Sequence, residues 1–470
     1  MHILALEAST TSAKALLYNT ADHTHTIKTK PFPLYFNNPT LHDAENVFLE
    51  TAALGKAISH GKPIDAIALS TTWHNIMLCD NELRPQTPVY LWSNVDASEI
   101  CKQLREDESY TNTYYQKTGC MVNAIYPSFK LKKLRTSGYR LEDYQIIDEG
   151  TYIAHRLTGQ QVVTDCCMSG TGFLNIKTKK LDRQILDENG VHESNFAQLI
   201  AYDKVFPLSK EGADFLGLTP GIPVLPACPD GALNQVGAGA LNPSVMTLSV
   251  GTSGAVRIAT PKPVLPKPPA TWCYLAPGTW LSGAATSGCC NCVDWYKNKF
   301  FNHNATYSDL EAHFNDPFDT PVFLPFLFGE RCPGWRDERK AGFFDIEAHH
   351  TQYDFYHSVL EGVLFNLYQS YRVLTAVNGD VQSVKLSGGI INSPYWLQMC
   401  SDIFELPMDV DDTAHSSLMG ALALGLEHLG IIGSLREFKA KAQKTILPDP
   451  EKADAYKAKY ARYLHHYNNT

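Results

Sequence analysis

The chain has 470 residues, 44% hydrophobic and 19% charged, with a formal net charge of −9. That length exceeds a single core and predicts two large domains, while an acidic balance without a basic tract argues against nucleic acid as a partner. Met1-His2-Ile3 runs straight into an apolar strand without a signal-peptide pattern, and no apolar run is long enough for a bilayer, so the expectation is a cytoplasmic small-molecule enzyme with no membrane partner.

Ile3–Leu6 and Ala15–Tyr18 read as strands on either side of Glu7-Ala8-Ser9-Thr10-Thr11-Ser12-Ala13-Lys14. Such a tip is either an ordinary hairpin turn or a grip in which amides and small hydroxyls converge on phosphate oxygens. Ala44–His60 reads as a helix, and Ile64–Ser70 as a strand ending in Thr71-Thr72-Trp73-His74-Asn75. The alternation of strands and helices gives an α/β class. Twelve cysteines are scattered, and the clusters Cys166-Cys167 and Cys289-Cys290-Asn291-Cys292 are expected to be reduced and metal-free, since neighbours on a strand point to opposite faces.

Val224–Ala232 places Asp230 where an apolar strand gives way to a helix, as a helix cap or as a chemical group. Leu241-Asn242-Pro243-Ser244 interrupts the helical stretch 232–240 and marks the predicted boundary between domains 1–242 and 243–470. A second polar turn, Ser249-Val250-Gly251-Thr252-Ser253-Gly254-Ala255, follows the strand-like Val245–Leu248 and precedes Val256-Arg257-Ile258. Thr260–Ala270 reads as an exposed loop, and Tyr353–Val377 as a long packed helix. The strand Val381–Leu386 breaks at Ser387-Gly388-Gly389 before a helix starting near Pro394, with Asn392-Ser393 suited to its N-cap. That glycine pair serves either ligand approach or tight packing. Tyr456, Tyr460, Tyr463 and Leu464 predict a terminal helix docked by one face.

Several segments add a resemblance. Phe328-Gly329-Glu330-Arg331-Cys332-Pro333-Gly334-Trp335, Glu361-Gly362, and Leu386-Ser387-Gly388-Gly389 with Trp396-Leu397-Gln398 follow one another in an order that resembles the FGGY carbohydrate kinases. Ile67–Asp80, Tyr126–Leu131, Gly251–Arg257 and Cys273–Leu275 bring the chain nearest to gluconate and xylulose kinases within that family. The resemblance implies a two-lobed actin/hexokinase/Hsp70-like (ribonuclease H-like) fold with a duplicated core and a central cleft. It further implies ATP and Mg²⁺, a homodimer, and a small sugar, sugar acid or polyol as acceptor.

By the same resemblance Asp230 is the base, Thr10, Thr11, Lys14, Gly251 and Thr252 hold phosphates, and Gly388, Gly389 and Asn392 face the nucleoside. His74, Asn75, Trp92 and Asn94 belong to the sugar side, and Glu7 with Asp230 to the metal. Departures are informative. The family's Asp-x-Gly-Thr reads Glu7-Ala8-Ser9-Thr10 here, so Ser9 is expected to crowd the turn. The gluconate kinases' Trp-x-Asp-x-Arg reads Trp92-Ser93-Asn94-Val95-Asp96, and its missing arginine favours a neutral ketose or polyol. These changes motivate an alternative, a catalytically weak or inactive member acting as a sugar or nucleotide sensor.

Overall fold

A computed structural model describes residues 1–301, 305–314, 316–411, 415–440 and 442–470. β1 (His2–Ala8) and β2 (Ser12–Asn19) pair antiparallel through the first polar turn, with Glu7 opposite Lys14, and β3 (Thr24–Pro31) extends the hairpin. Helix α1 (Ala44–Ser59) begins at Asp43, whose side chain caps the Asn46 amide. β4 (Ala66–Thr71) runs parallel to β1, and β5 (Pro223–Pro229) parallel to β4. The apolar run of β1 is continuous because both its faces are covered: Leu4, Leu6 and Ala8 enter the main core, Ile3 and Ala5 a second one.

The second half repeats the plan. β6 (Val245–Val250) and β7 (Gly254–Thr260) flank the second polar turn, β8 (Trp272–Ala276) and β9 (Thr279–Thr286) continue antiparallel, and β10 (Ser383–Ser387) and β11 (Met408–Asp411) add in parallel. The orders β3-β2-β1-β4-β5 and β9-β7-β6-β10-β11 carry the same succession of antiparallel and parallel neighbours. The core is therefore duplicated, with one polar turn at the corresponding tip of each copy.

Further helices include α2 (Asp165–Ser169), α3 (Asp230–Gly237), α4 (Cys290–Phe300), α5 (Gln352–Asn378), α6 (Pro394–Phe404), α7 (Ser416–His428) and α8 (Ala453–Asn468). Ser393 caps α6, as Asn392-Ser393 suggested, and α8 docks through buried Tyr456 and Tyr463. α7, although late in the chain, returns to cover the Ile3 and Ala5 face of the first sheet. It meets α3 at backbone distance: a Cβ on Gly420 would stand 2.1 Å from the Leu233 carbonyl oxygen, and one on Gly237 1.9 Å from that of Ser416. The helix that begins at Asp230 is thus clamped by an element from the other half.

The cysteine reading needs correction. Cys166 and Cys167 lie on α2, Cys290 and Cys292 on α4, so strand alternation is not what separates them. Cys289 and Cys292 do have a two-residue spacing, yet among the described residues no metal-competent cluster includes them, and all twelve thiols are free and buried. Among the described residues no helix is long and apolar enough to cross a membrane.

Candidate active site

Two adjoining chambers open between the halves. The first, about 250 Å³, is walled by Thr10, Thr72, Trp73, His74, Trp92, Asp230, Ser253, Arg257, Trp272, Tyr274 and Arg331, among others. The second, about 290 Å³, is walled by Glu7, Ser9, Thr10, Thr11, Lys14, Asp230, Asn234, Ser249, Arg257 and Ser417. Thr10, Asp230, Gly231 and Arg257 belong to both. Asp230 therefore stands on the threshold, at the first residue of α3, where its carboxylate accepts from the Gly231 amide at 2.7 Å.

Burial, with the nearby Glu7 charge, pushes the Asp230 pKa up to about 6. A carboxylate poised there is still ionised at neutral pH yet basic enough to take a proton, the combination a general base needs.

The first chamber is an aromatic box. Trp73 stacks on His74, Trp272 on Tyr274, and the Tyr126 and Tyr274 hydroxyls hydrogen-bond at 2.6 Å. His74 holds a left-handed backbone (φ 58°), and its Nδ1–H donates to the Gly170 carbonyl at 2.6 Å. Burial holds its pKa down near 3, so the ring is neutral and Nε2 remains an acceptor. The Trp92 indole N–H donates to the Thr10 hydroxyl at 3.1 Å and fixes both residues on the wall.

Below Thr10 lies a buried buttress. His42 Nε2 faces the Thr10 carbonyl and Nδ1 the Glu149 carboxylate, both at 2.9 Å. Burial works against charge on His42, but the Glu149 carboxylate and the Thr10 carbonyl more than offset it and raise the pKa. Asn75 joins this support rather than the cleft: its side-chain N–H donates to the Thr72 carbonyl, and its oxygen accepts the Glu149 amide. Asn94 is likewise buried behind the wall, its side-chain N–H donating to Asp96 at 3.0 Å and its side-chain oxygen accepting the Asp96 amide at 3.4 Å, while its backbone carbonyl accepts Lys130 Nζ at 2.5 Å. Placing Asn75 and Asn94 against substrate is therefore corrected: their polar atoms are spent on holding Thr72 and the Trp92 loop.

In the second chamber Lys14 Nζ lies 2.6 Å from Glu7, whose other oxygen accepts the Ser70 hydroxyl at 3.2 Å. Ser9 does not strain its turn, because its φ is not positive and its hydroxyl donates to the Ser12 carbonyl at 2.8 Å. Gly251, Thr252, Gly388, Gly389 and Asn392 do not wall these chambers; the glycine pair packs against the second turn. Gly388 (φ 100°) lies so close that a Cβ would stand 2.3 Å from the Val250 carbonyl oxygen, and Asn392 is exposed. The amides of Thr10, Thr11, Thr252 and Ser253 donate to no described protein group.

Assigning site residues from motifs missed Arg257, Arg331, Trp73, Trp272 and Tyr274. Each lay inside a motif already quoted or next to one, but only the fold shows which of those side chains turn inward.

Sequence models of the FGGY family of carbohydrate kinases match residues 2–237 (N-terminal domain) and 246–427 (C-terminal domain). The gluconokinase of Bacillus subtilis is 27% identical, over 92% of this chain and 88% of its own. Solved structures of a gluconate kinase and a ligand-bound xylulose kinase, both from Lactobacillus acidophilus, superpose with TM-scores of 0.93 and 0.94. Each is 25% identical and covers 100% of this chain and 98% of its own.

Proposed function

The chain belongs to the FGGY family of carbohydrate kinases and is an ATP-dependent sugar kinase, and we propose that Asp230 is the base that activates the acceptor hydroxyl at the junction of its two chambers. The observation that carries this is the placement of one buried carboxylate on the wall of both. The acceptor lies in the aromatic box, its C–H faces against Trp73, Trp272 and Tyr274 and its hydroxyls toward His74 Nε2 and Thr72. Asp230 takes the hydroxyl proton, the freed oxygen bonds to the γ-phosphorus of ATP, and the bond to the bridging oxygen breaks to release ADP.

Amides of Thr10, Thr11, Thr252 and Ser253 are the phosphate donors of this reading, and Gly388, Gly389 and Asn392 form its nucleoside side. Glu7 and Asp230 supply hard carboxylate oxygens to one chamber, a donor set that fits Mg²⁺. When bound there, the ion neutralises phosphate charge. The same reading divides the lobes at residues 242 and 243 and sets the enzyme in the cytoplasm. The sensor alternative drew on the altered first turn and the altered Trp92 segment; Ser9 is accommodated by Ser12, and no observation favours that alternative.

Asp230→Asn tests the assignment. Turnover is expected to fall by roughly 10²–10⁴-fold, the usual share of a general base, with ADP affinity retained in a titration. Full activity in that variant would remove Asp230 from the reaction.

A further inference from the structure

The substrate chamber contains two cations that no protein group meets with a hydrogen bond or ion pair among the described residues. Arg257 comes from β7, and its Nη2 lies 3.7 Å from where a Cβ on Gly231 would stand. Arg331 enters from the loop before cis-Pro333. Among the described residues neither guanidinium makes a hydrogen bond or ion pair with the protein, and the Nε of each is buried without a partner. Elsewhere in the molecule, shielded arginines are paired: Arg339 with Glu330 at 3.1 Å and Arg105 with Asp337 at 3.0 Å. The contrast locates the missing acceptor in the ligand.

Charge balance says what kind of ligand. Two guanidinium groups face one carboxylate, Asp230, and a neutral His74, leaving a positive excess on the wall. Burial and the neighbouring Arg331 together lower the Arg257 pKa to about 10, despite Asp230. A neutral polyol offers these forks only hydroxyl oxygens, whereas a carboxylate accepts a guanidinium in two parallel charge-assisted bonds. The anion has two sources, a carboxylate on the acceptor or the phosphoryl group in transit. Arg257 borders both chambers, but Arg331 borders only the one with the aromatic box.

We propose that the acceptor of this kinase carries a carboxylate, held by Arg331 with Arg257, so that the enzyme acts on sugar acids rather than on neutral ketoses or polyols. The proposal rests on the chamber beside Asp230 being the acceptor site. It also reverses the expectation drawn from the absent arginine near Trp92, since the positive charge is supplied from the other lobe.

The test is a set of matched acceptors of equal chain length, D-gluconate against D-glucitol and D-xylonate against xylitol, assayed as ADP release. The natural chain is expected to show kcat/KM at least about 30-fold higher for the acid of each pair, the size of a lost charged hydrogen-bond pair. In Arg331→Met that acid-to-alditol ratio collapses toward one, and in Arg331→Lys, which keeps the charge without the fork, it falls partway. ADP titration of each variant reports that it is folded. Preference for the alditols, or an unchanged ratio in Arg331→Met, overturns the proposal. An equal loss on both members of a pair also overturns it, assigning Arg331 to the phosphoryl group. Asp230→Asn run alongside separates the premise: if it turns over the same acceptors undiminished, the acceptor-site reading fails first.

Discussion

The two polar turns occupy the same position in the two copies of the core and differ in how they are held. In the first, Thr11 is exposed but its neighbours are tied to the protein through their side chains: Lys14 to Glu7, Ser9 to Ser12, Thr10 to Trp92, with the His42–Glu149 pair beneath the Thr10 carbonyl. In the second, Thr252 is exposed, and the turn is held through its backbone: the Gly251 amide to the Ser253 carbonyl at 3.2 Å, the Cys290 amide to the Gly251 carbonyl at 2.8 Å, the Cys290 thiol to the Val250 carbonyl at 3.3 Å, and Gly388 against Val250. Duplication has therefore produced one rigid wall and one open lip. A wall suits an acceptor whose hydroxyl must be aimed, and a lip suits a nucleotide that must enter and leave.

The largest effect is expected where the lip depends on a missing side chain. In Gly388→Val the new Cβ meets the Val250 carbonyl at 2.3 Å in a backbone region closed to β-branched residues, so the second turn must move. Displacement on the scale of an ångström predicts a loss on the order of 100-fold in ATP kcat/KM, with weakened ADP binding by titration. Unchanged ADP affinity would separate the glycine pair from the nucleotide and dissolve the contrast.

The wall is tested by His42→Phe. Both ring nitrogens face acceptor-only oxygens, so the imidazole carries two protons as the partner of the buried Glu149. Its loss strands that carboxylate, and destabilisation of about 3–5 kcal/mol is expected in a denaturant titration. Freed of its anchor, Thr10 should raise the acceptor KM by roughly tenfold, while the KM for ATP moves less. Equal effects on both substrates would show that the turns act as one unit.

How far the sequence carried depended on the range of the interaction. Both hairpins and the cap at Ser393 follow from apolar runs and turn chemistry within about ten residues. Asp230 at a strand-to-helix junction was visible for the same reason. Asn75 and Asn94 were misplaced because an asparagine beside a strand end reads alike whether it meets ligand or backbone. The partners that decide between them, Glu149 for Asn75 and Thr40 for Asn94, lie 74 and 54 residues away. Arg257 was hidden differently: strand alternation leaves its face open until β9 and the Trp73 loop are placed. The return of α7 onto the first sheet has no local signature at all.

The smallest and most specific expectation concerns Glu7, which belongs to the wall yet acts on Asp230 through its charge. Asp230 works as the ionised base, so kcat/KM should fall with acid, about tenfold per pH unit below a pKa near 6. Glu7 helps to hold that pKa up, while Lys14 draws it down. Glu7→Gln removes the negative charge and leaves Lys14 without its partner, and both changes favour the Asp230 carboxylate. The acid limb should therefore shift to lower pH, on the order of one unit or about 1.4 kcal/mol. A lowered plateau rate would additionally report a role of Glu7 toward the metal, but only the position of the limb measures its coupling to the base. A limb that stays in place would mean that the titrating group is not Asp230, and the threshold between the chambers would need another base.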